Sequence, residues 1–286
     1  MAERRTHTVV GGGGVQLHVE ETGNPGGPAV LLIHGYSQCR LAWRRQMDSD
    51  LAADLRLVAM DNRGHGLSEK PHDAYADSRL WADDVRAVID TLELDRPILC
   101  CAYGVAICDY VRHHGEDAVA GYDMVSALTR LNVPEAVGTL SEDFHRLMPG
   151  LHSTDVETAV GALTGLIRLS TADEPAPERV WETLGHSVLV PPHVRAALSH
   201  RRIWNDDVLR GMRRPALVSH GVRDAIALLD ATARVHTALI PNARLSLYPD
   251  AGHAPHQEDP LRFNRELREL ALSAVPAARA VPAAAG

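Results

Sequence analysis

Four short segments concentrate the residues able to do chemistry: His34-Gly35-Tyr36, Cys100-Cys101-Ala102-Tyr103-Gly104, Gly221-Val222-Arg223-Asp224 and Gly252-His253-Ala254-Pro255. Each comes shortly after an apolar run that reads as a strand. Histidine is the side chain suited to moving a proton near neutral pH, and a carboxylate just beyond a strand end can orient it. That casts His253 as base and Asp224 as its partner. A glycine after a strand lets the chain turn sharply and aim a backbone N–H at a developing oxyanion, and Tyr36 would supply that N–H, with His34 and Gly35 supporting the loop. The missing element is the nucleophile. A G-x-S-x-G turn between strand and helix exposes a serine; here the first Gly is Cys100 and the Ser is Ala102. Without an oxygen or sulfur nucleophile a His-Asp pair has nothing to deprotonate in the usual acyl-transfer scheme.

The elements that must position these residues alternate. Strands are expected at Val15 to Glu21, Ala29 to Ile33, Leu55 to Met60, Pro97 to Cys101, Tyr122 to Ser126, Ala216 to His220 and Ala243 to Tyr248. Helices are expected from Ser78 (as N-cap), at Val105 to His113, near Ala231 to Leu239 and at Pro260 to Leu272. Such alternation implies an α/β fold, a mostly parallel central sheet covered by helices on both faces. Residues 127–205 break the rhythm with several helical stretches, Val156 to Leu169 the clearest, and no convincing strand. They read as a helical cap inserted between core segments 1–126 and 206–274, and the Ala/Pro-rich residues 275–286 read as a disordered tail.

Oxyanion loop, elbow strand, acid loop and His loop occur in the order used by α/β-hydrolases, and from about Val15 to Leu272 the chain resembles that superfamily. The segments Asp61–Ser68, Ser78–Asp90, Ile107–Tyr110, Gly221–Asp224 and Gly252–Phe263 carry the resemblance, which is strongest to haloperoxidase-like esterases, lactonases and epoxide hydrolases. It implies a base at His253, an acid at Asp224 and oxyanion donors at the N–H groups of Tyr36 and Tyr103. The elbow departs from the pattern and looks shortened by about two residues. The Gly two positions on places Ala102 at the nucleophile position; counting back from Ile107-Cys108-Asp109-Tyr110 points to Cys101, and counting forward from Pro97 points to Tyr103. Cys101 would be the alternative nucleophile, since a thiolate beside a histidine and a helix N-terminus has a lowered pKa. Related enzymes that open epoxides or remove halide attack with an elbow Asp. No Asp lies between Pro97 and Cys108, and no tyrosine lies in residues 127–205, so both activities are disfavoured.

Composition narrows the field further. With 29 Lys+Arg against 37 Asp+Glu the net charge is -8, which disfavours a nucleic-acid partner. No signal peptide or membrane-spanning run is evident, and the four cysteines, Cys39, Cys100, Cys101 and Cys108, read as reduced thiols of a cytoplasmic protein. The 16 histidines show no metal-ligand spacing, and no dinucleotide or phosphate loop follows a strand, so neither metal nor cofactor is expected. The expected partner is a small molecule, with oligomeric state open, a homo-oligomer included. Three functions fit: hydrolysis of a small apolar ester, thioester or lactone; a cofactor-free lyase, cyclase or isomerase using His253 and Asp224 as acid and base; or a non-catalytic ligand binder.

Overall fold

The computed structural model describes residues 3–274. Among the described residues ten strands form, β1 (Arg5–Val10), β2 (Gln16–Gly23), β3 (Ala29–Ile33), β4 (Arg56–Met60), β5 (Ile98–Cys101), β6 (Gly121–Val125), β7 (Arg130–Leu131), β8 (Ile203–Trp204), β9 (Ala216–Gly221) and β10 (Ala243–Tyr248). Eight of them make one sheet in the order β1-β2-β4-β3-β5-β6-β9-β10. From β4 to β10 every pairing is parallel, and β1 and β2 add an antiparallel edge.

Every residue of β3, β5, β6 and β9 is buried, because helices cover both faces. The period-2 geometry of a strand then sends neighbours into different cores. Leu31, Ile33 and Cys101 pack with Val85, Val88 and Ile107 of the helices Ser78–Thr91 and Gly104–His114. Val30, Leu32 and Cys100 pack instead with Phe263 and Leu267 of the helix Pro260–Ala274. The adjacent cysteines therefore face opposite sides of the sheet, and all four cysteines are free and buried.

The structure differs from the sequence reading at three places. β1 was not expected: only Val9 of its six residues is buried, so it carries no alternation to detect. The N-cap of the helix Ser78–Thr91 is Asp77, whose carboxylate accepts the Arg79 N–H, rather than Ser78. The segment between β6 and β9 does contain strand, the two-residue antiparallel ribbon β7–β8 at the base of its helices. Residues 275–286, read as a tail, lie outside the described residues.

Helices Glu142–Leu151, Val156–Leu169, Pro177–Ser187 and Pro192–Ser199 stand over the C-terminal ends of the parallel strands. A buried ion pair and carboxylate–amide hydrogen bonds tie this cap to the core. Arg201 donates to Asp109 at 2.8 Å and to the Tyr103 hydroxyl at 3.3 Å, and its guanidinium lies 5.5 Å from the Trp81 ring centre. On the other side, Glu258 accepts the amides of Ala172 in the cap and Gly252 beside His253.

Asp123 on β6 is a buried acid with no cation in contact among the described residues. It accepts the Ser219 hydroxyl at 2.9 Å and lies 4.0 Å from the Cys100 thiol. Burial pushes its pKa up to about 7 from 3.8. Between those values the unfolded chain ionises while the folded chain stays protonated, so this group lowers stability as pH rises and its effect levels off above about 7. The full penalty is on the order of 4 kcal/mol. Asp123→Asn is therefore expected to raise the melting temperature, by more at pH 8 than at pH 5; an equal change at both pH values would refute this account.

Candidate active site

β9 and β10 are sheet neighbours, and the loops leaving them carry Asp224 and His253. His253 Nδ1 lies 2.8 Å from Asp224 Oδ2. The other carboxylate oxygen accepts the amides of Ile226 at 2.8 Å and Ala227 at 3.0 Å, and His220 Nε2 lies 3.4 Å from Oδ2. Burial opposes the Asp224 charge, but the His253 imidazole, His220 and the Ile226 amide outweigh it and hold the pKa below the usual carboxylate value. Burial likewise opposes charge on His253, yet the facing Asp224 carboxylate wins and its pKa is raised above 6.5. With Nδ1 held by the carboxylate, Nε2 is the nitrogen left to exchange a proton with a ligand.

Close approach explains Gly221: a Cβ there would meet Gly252 O at 1.9 Å, so only glycine lets the acid and His loops come together. Gly35 is similar, since a Cβ would sit 3.1 Å from Ala102 O. His34 fixes the same loop. Its Nδ1 donates to Gly35 O and its Nε2 accepts the Asn62 amide, while burial pushes its pKa down to about 3, so it is neutral and structural.

His253 lines a cavity of about 150 Å³ together with Gly35, Tyr36, Ala102 and Tyr103. A void of that size accommodates a benzene-sized group. Its roof comes from cap residues, apolar ones such as Leu140, Phe144, Met148 and Ile167 with polar ones such as Asn132, Thr183 and Ser199, whereas the sheet side offers Ser37, Gln38, Ser126, His253 and His256. Tyr36 bridges the two layers: its hydroxyl donates to Arg195 O at 3.3 Å and accepts from Ser199 Oγ at 3.2 Å. His256 lies against Trp43, with ring centres 4.4 Å apart, and burial keeps it neutral.

The elbow residues separate clearly. Ala102 follows β5, lines the cavity, and is not among the residues of positive φ, so the turn lacks the strain expected of a nucleophile elbow. Cys101 is the last residue of β5, wholly buried in the core under the helix Gly104–His114 and absent from the cavity wall; burial raises its pKa far above a free thiol's. That is the reverse of the lowered pKa expected of a nucleophilic thiol. Tyr103 is the residue before that helix, and its phenol is held by Arg201. The Tyr103 amide, expected as an oxyanion donor, instead donates to Cys101 Sγ at 3.2 Å. The Tyr36 amide has no hydrogen-bond partner among the described residues. Ser37, Ser126, His220 and His256 were not singled out as site residues from the sequence. A serine after a strand is an ordinary turn residue, and only three-dimensional placement marks it.

The match to the family described as "alpha/beta hydrolase fold" spans residues 28–260, and the chain belongs to that family as an enzyme of the α/β-hydrolase fold. The solved structure of an esterase from Rhodococcus sp. ECU1013 is 35% identical with a TM-score of 0.88, covering 94% of this chain and 99% of that one. A non-heme chloroperoxidase of Kitasatospora aureofaciens is 27% identical over 269 residues, 90% of this chain and 96% of its own. A bifunctional esterase/perhydrolase of Acinetobacter calcoaceticus is 25% identical over 264 residues, 89% and 95% of the two chains.

Because the carboxylate is what holds the His253 pKa up against burial, Asp224→Asn should drop it below 6.5. An NMR titration of the imidazole in both proteins checks this. A variant that still titrates above 6.5 would show that Asp224 is not the cause.

Proposed function

We propose that this enzyme acts on a small, largely apolar ester, thioester or lactone, with His253 taking the proton of an attacking water and returning it to the leaving group, Asp224 as its orienting partner, and Ala102 at the position a serine nucleophile would take. The observation that carries this reading is the 2.8 Å His253–Asp224 contact in a cavity that Ala102 also lines. The apolar cap roof suits an apolar acyl or aryl group, and the similarity to esterases over nearly the whole chain supports the substrate class. Cys101 is disfavoured as nucleophile by its burial and its absence from the cavity wall.

A second reading has a specific observation in its favour. With Ala102 in place the paired His253 and Asp224 can move protons but the elbow forms no acyl-enzyme, which suits a cofactor-free lyase, cyclase or isomerase working next to a carbonyl.

The two are separated by assaying an activated aryl ester with this chain, Ala102→Ser and His253→Ala. The hydrolase reading expects the serine variant to gain strongly, up to the roughly 10⁴-fold that loss of such a nucleophile costs. It also expects His253→Ala to abolish turnover in both backgrounds. No gain from serine would reject Ala102 as a nucleophile position and favour the second reading.

A further inference from the structure

One cap residue is gripped from both of the loops that carry the acid–base pair. Ala172 lies in the segment that follows the helix Val156–Leu169. Its N–H donates to Glu258 Oε2 at 2.7 Å, and its C=O accepts from Arg223 Nη2 at 2.8 Å. Glu258 comes five residues after His253, and Arg223 immediately precedes Asp224. Arg223 also donates to Asp173 Oδ1 at 2.8 Å, so it holds two consecutive cap residues. Packing at this point is equally close: a Cβ at Gly252 would lie 2.7 Å from Ala172 N and 2.8 Å from Thr171 C.

Glu258 holds more than the cap. Its other oxygen accepts the N–H groups of Gly252 at 3.0 Å and Ala254 at 3.3 Å, the residues on either side of His253. One carboxylate thus fixes the backbone before and after the base, and hydrogen bonds to a charged acceptor are the strong ones. The short helix Pro255–Glu258 makes this reach possible, since a single turn returns its last residue to the segment at its start. The acid loop joins the His loop through the Arg223 N–H on Ala251 O at 3.0 Å. Charge adds to position: burial opposes protonation of His253, Asp224 overcomes it, and the Glu258 carboxylate acts in the same direction as Asp224. From the cap side the path is short. Leu166, Ile167 and Ser170 line the cavity, and Ser170 is two residues from Ala172.

Resting on the reading of His253 and Asp224 as the proton-moving pair, we infer that Glu258 and Arg223 are positioning residues that clamp this pair to the cap segment 170–173 through the backbone N–H and C=O of Ala172. Neither residue lines the cavity, so each acts through the loops it holds. The clamp makes the orientation of the imidazole depend on the cap: a ligand that presses on Ile167 or Ser170 acts, through Ala172, on the backbone that carries His253.

Amide hydrogen exchange and the His253 titration, both followed by NMR, test the clamp without a substrate. Glu258→Gln keeps the shape, removes the charge and turns an amide NH₂ toward backbone donors. It should speed exchange at Gly252, Ala254 and Ala172 about 10-fold or more and lower the His253 pKa, while amides of β9 and β10 exchange as before. Arg223→Gln leaves the Glu258 acceptor intact and alters an exposed side chain, yet it should speed exchange at Gly252 as well as Ala172, because it frees the cap segment. Acceleration at Ala172 that does not reach Gly252 in this variant overturns the clamp. So does an unchanged His253 pKa in Glu258→Gln, and so does equal acceleration throughout β9 and β10, which reports general loosening. In the Ala102→Ser background Glu258→Gln should lower kcat for an aryl ester about 10-fold or more with KM little changed. A raised KM with kcat intact would assign Glu258 to substrate binding and reject the positioning role. If Ala102→Ser gains no esterase activity, the ester reading fails, while exchange and titration still decide whether the clamp exists.

Discussion

A single buried carboxylate organises the candidate site. Asp224 lies almost out of reach of water, and an unshared charge there would be prohibitively costly. It is tolerated because two amides and His220 surround it and His253 completes the set. Those contacts require β9 and β10 to lie side by side, the loop after β9 to fold back through Ile226 and Ala227, and glycine at position 221 for the loops to meet. The raised proton affinity of His253 is the electrostatic return of the same arrangement, and it makes the imidazole a stronger base than a free histidine.

Core and cap both line the cavity, and the core alone brings the acid-base pair. Strand ends supply the His253–Asp224 pair, since the C-terminal edge of a parallel sheet is where loops converge. The cap supplies apolar side chains and, through Tyr36, Arg201 and Glu258, polar anchors back to the core. The anchor at Glu258 joins the cap loop to the segment holding His253, so a shift of that loop would be felt at the base. The Arg201 anchor ends on the Tyr103 hydroxyl, one residue from Ala102.

Much of this was legible in the chain itself. β10 and the helix Val156–Leu169 fall where the hydrophobic pattern places them, because each has a partly or wholly buried face of the right period. His253 and Asp224 could be found because each lies in a short loop soon after a strand, in an order that limits their roles. β1 was silent because it has one buried residue, and the β7–β8 ribbon because two residues have no period. At the elbow, spacing alone could not choose among Cys101, Ala102 and Tyr103. Burial separates them, placing the thiol in the core and the alanine on the cavity wall. The capture of the Tyr103 amide by a neighbouring thiol depends on side-chain placement, so it leaves no trace in residue types.

The backbone at Ala102 keeps out of the left-handed region, so a larger side chain there meets no conformational penalty of its own. Alanine and serine codons differ by one base. If serine restores acyl transfer, this gene lies one nucleotide from a lineage with a different reaction, and random mutagenesis would sample that step in nearly every library. Selection on an ester as carbon source would then report directly which side of that boundary a given variant occupies.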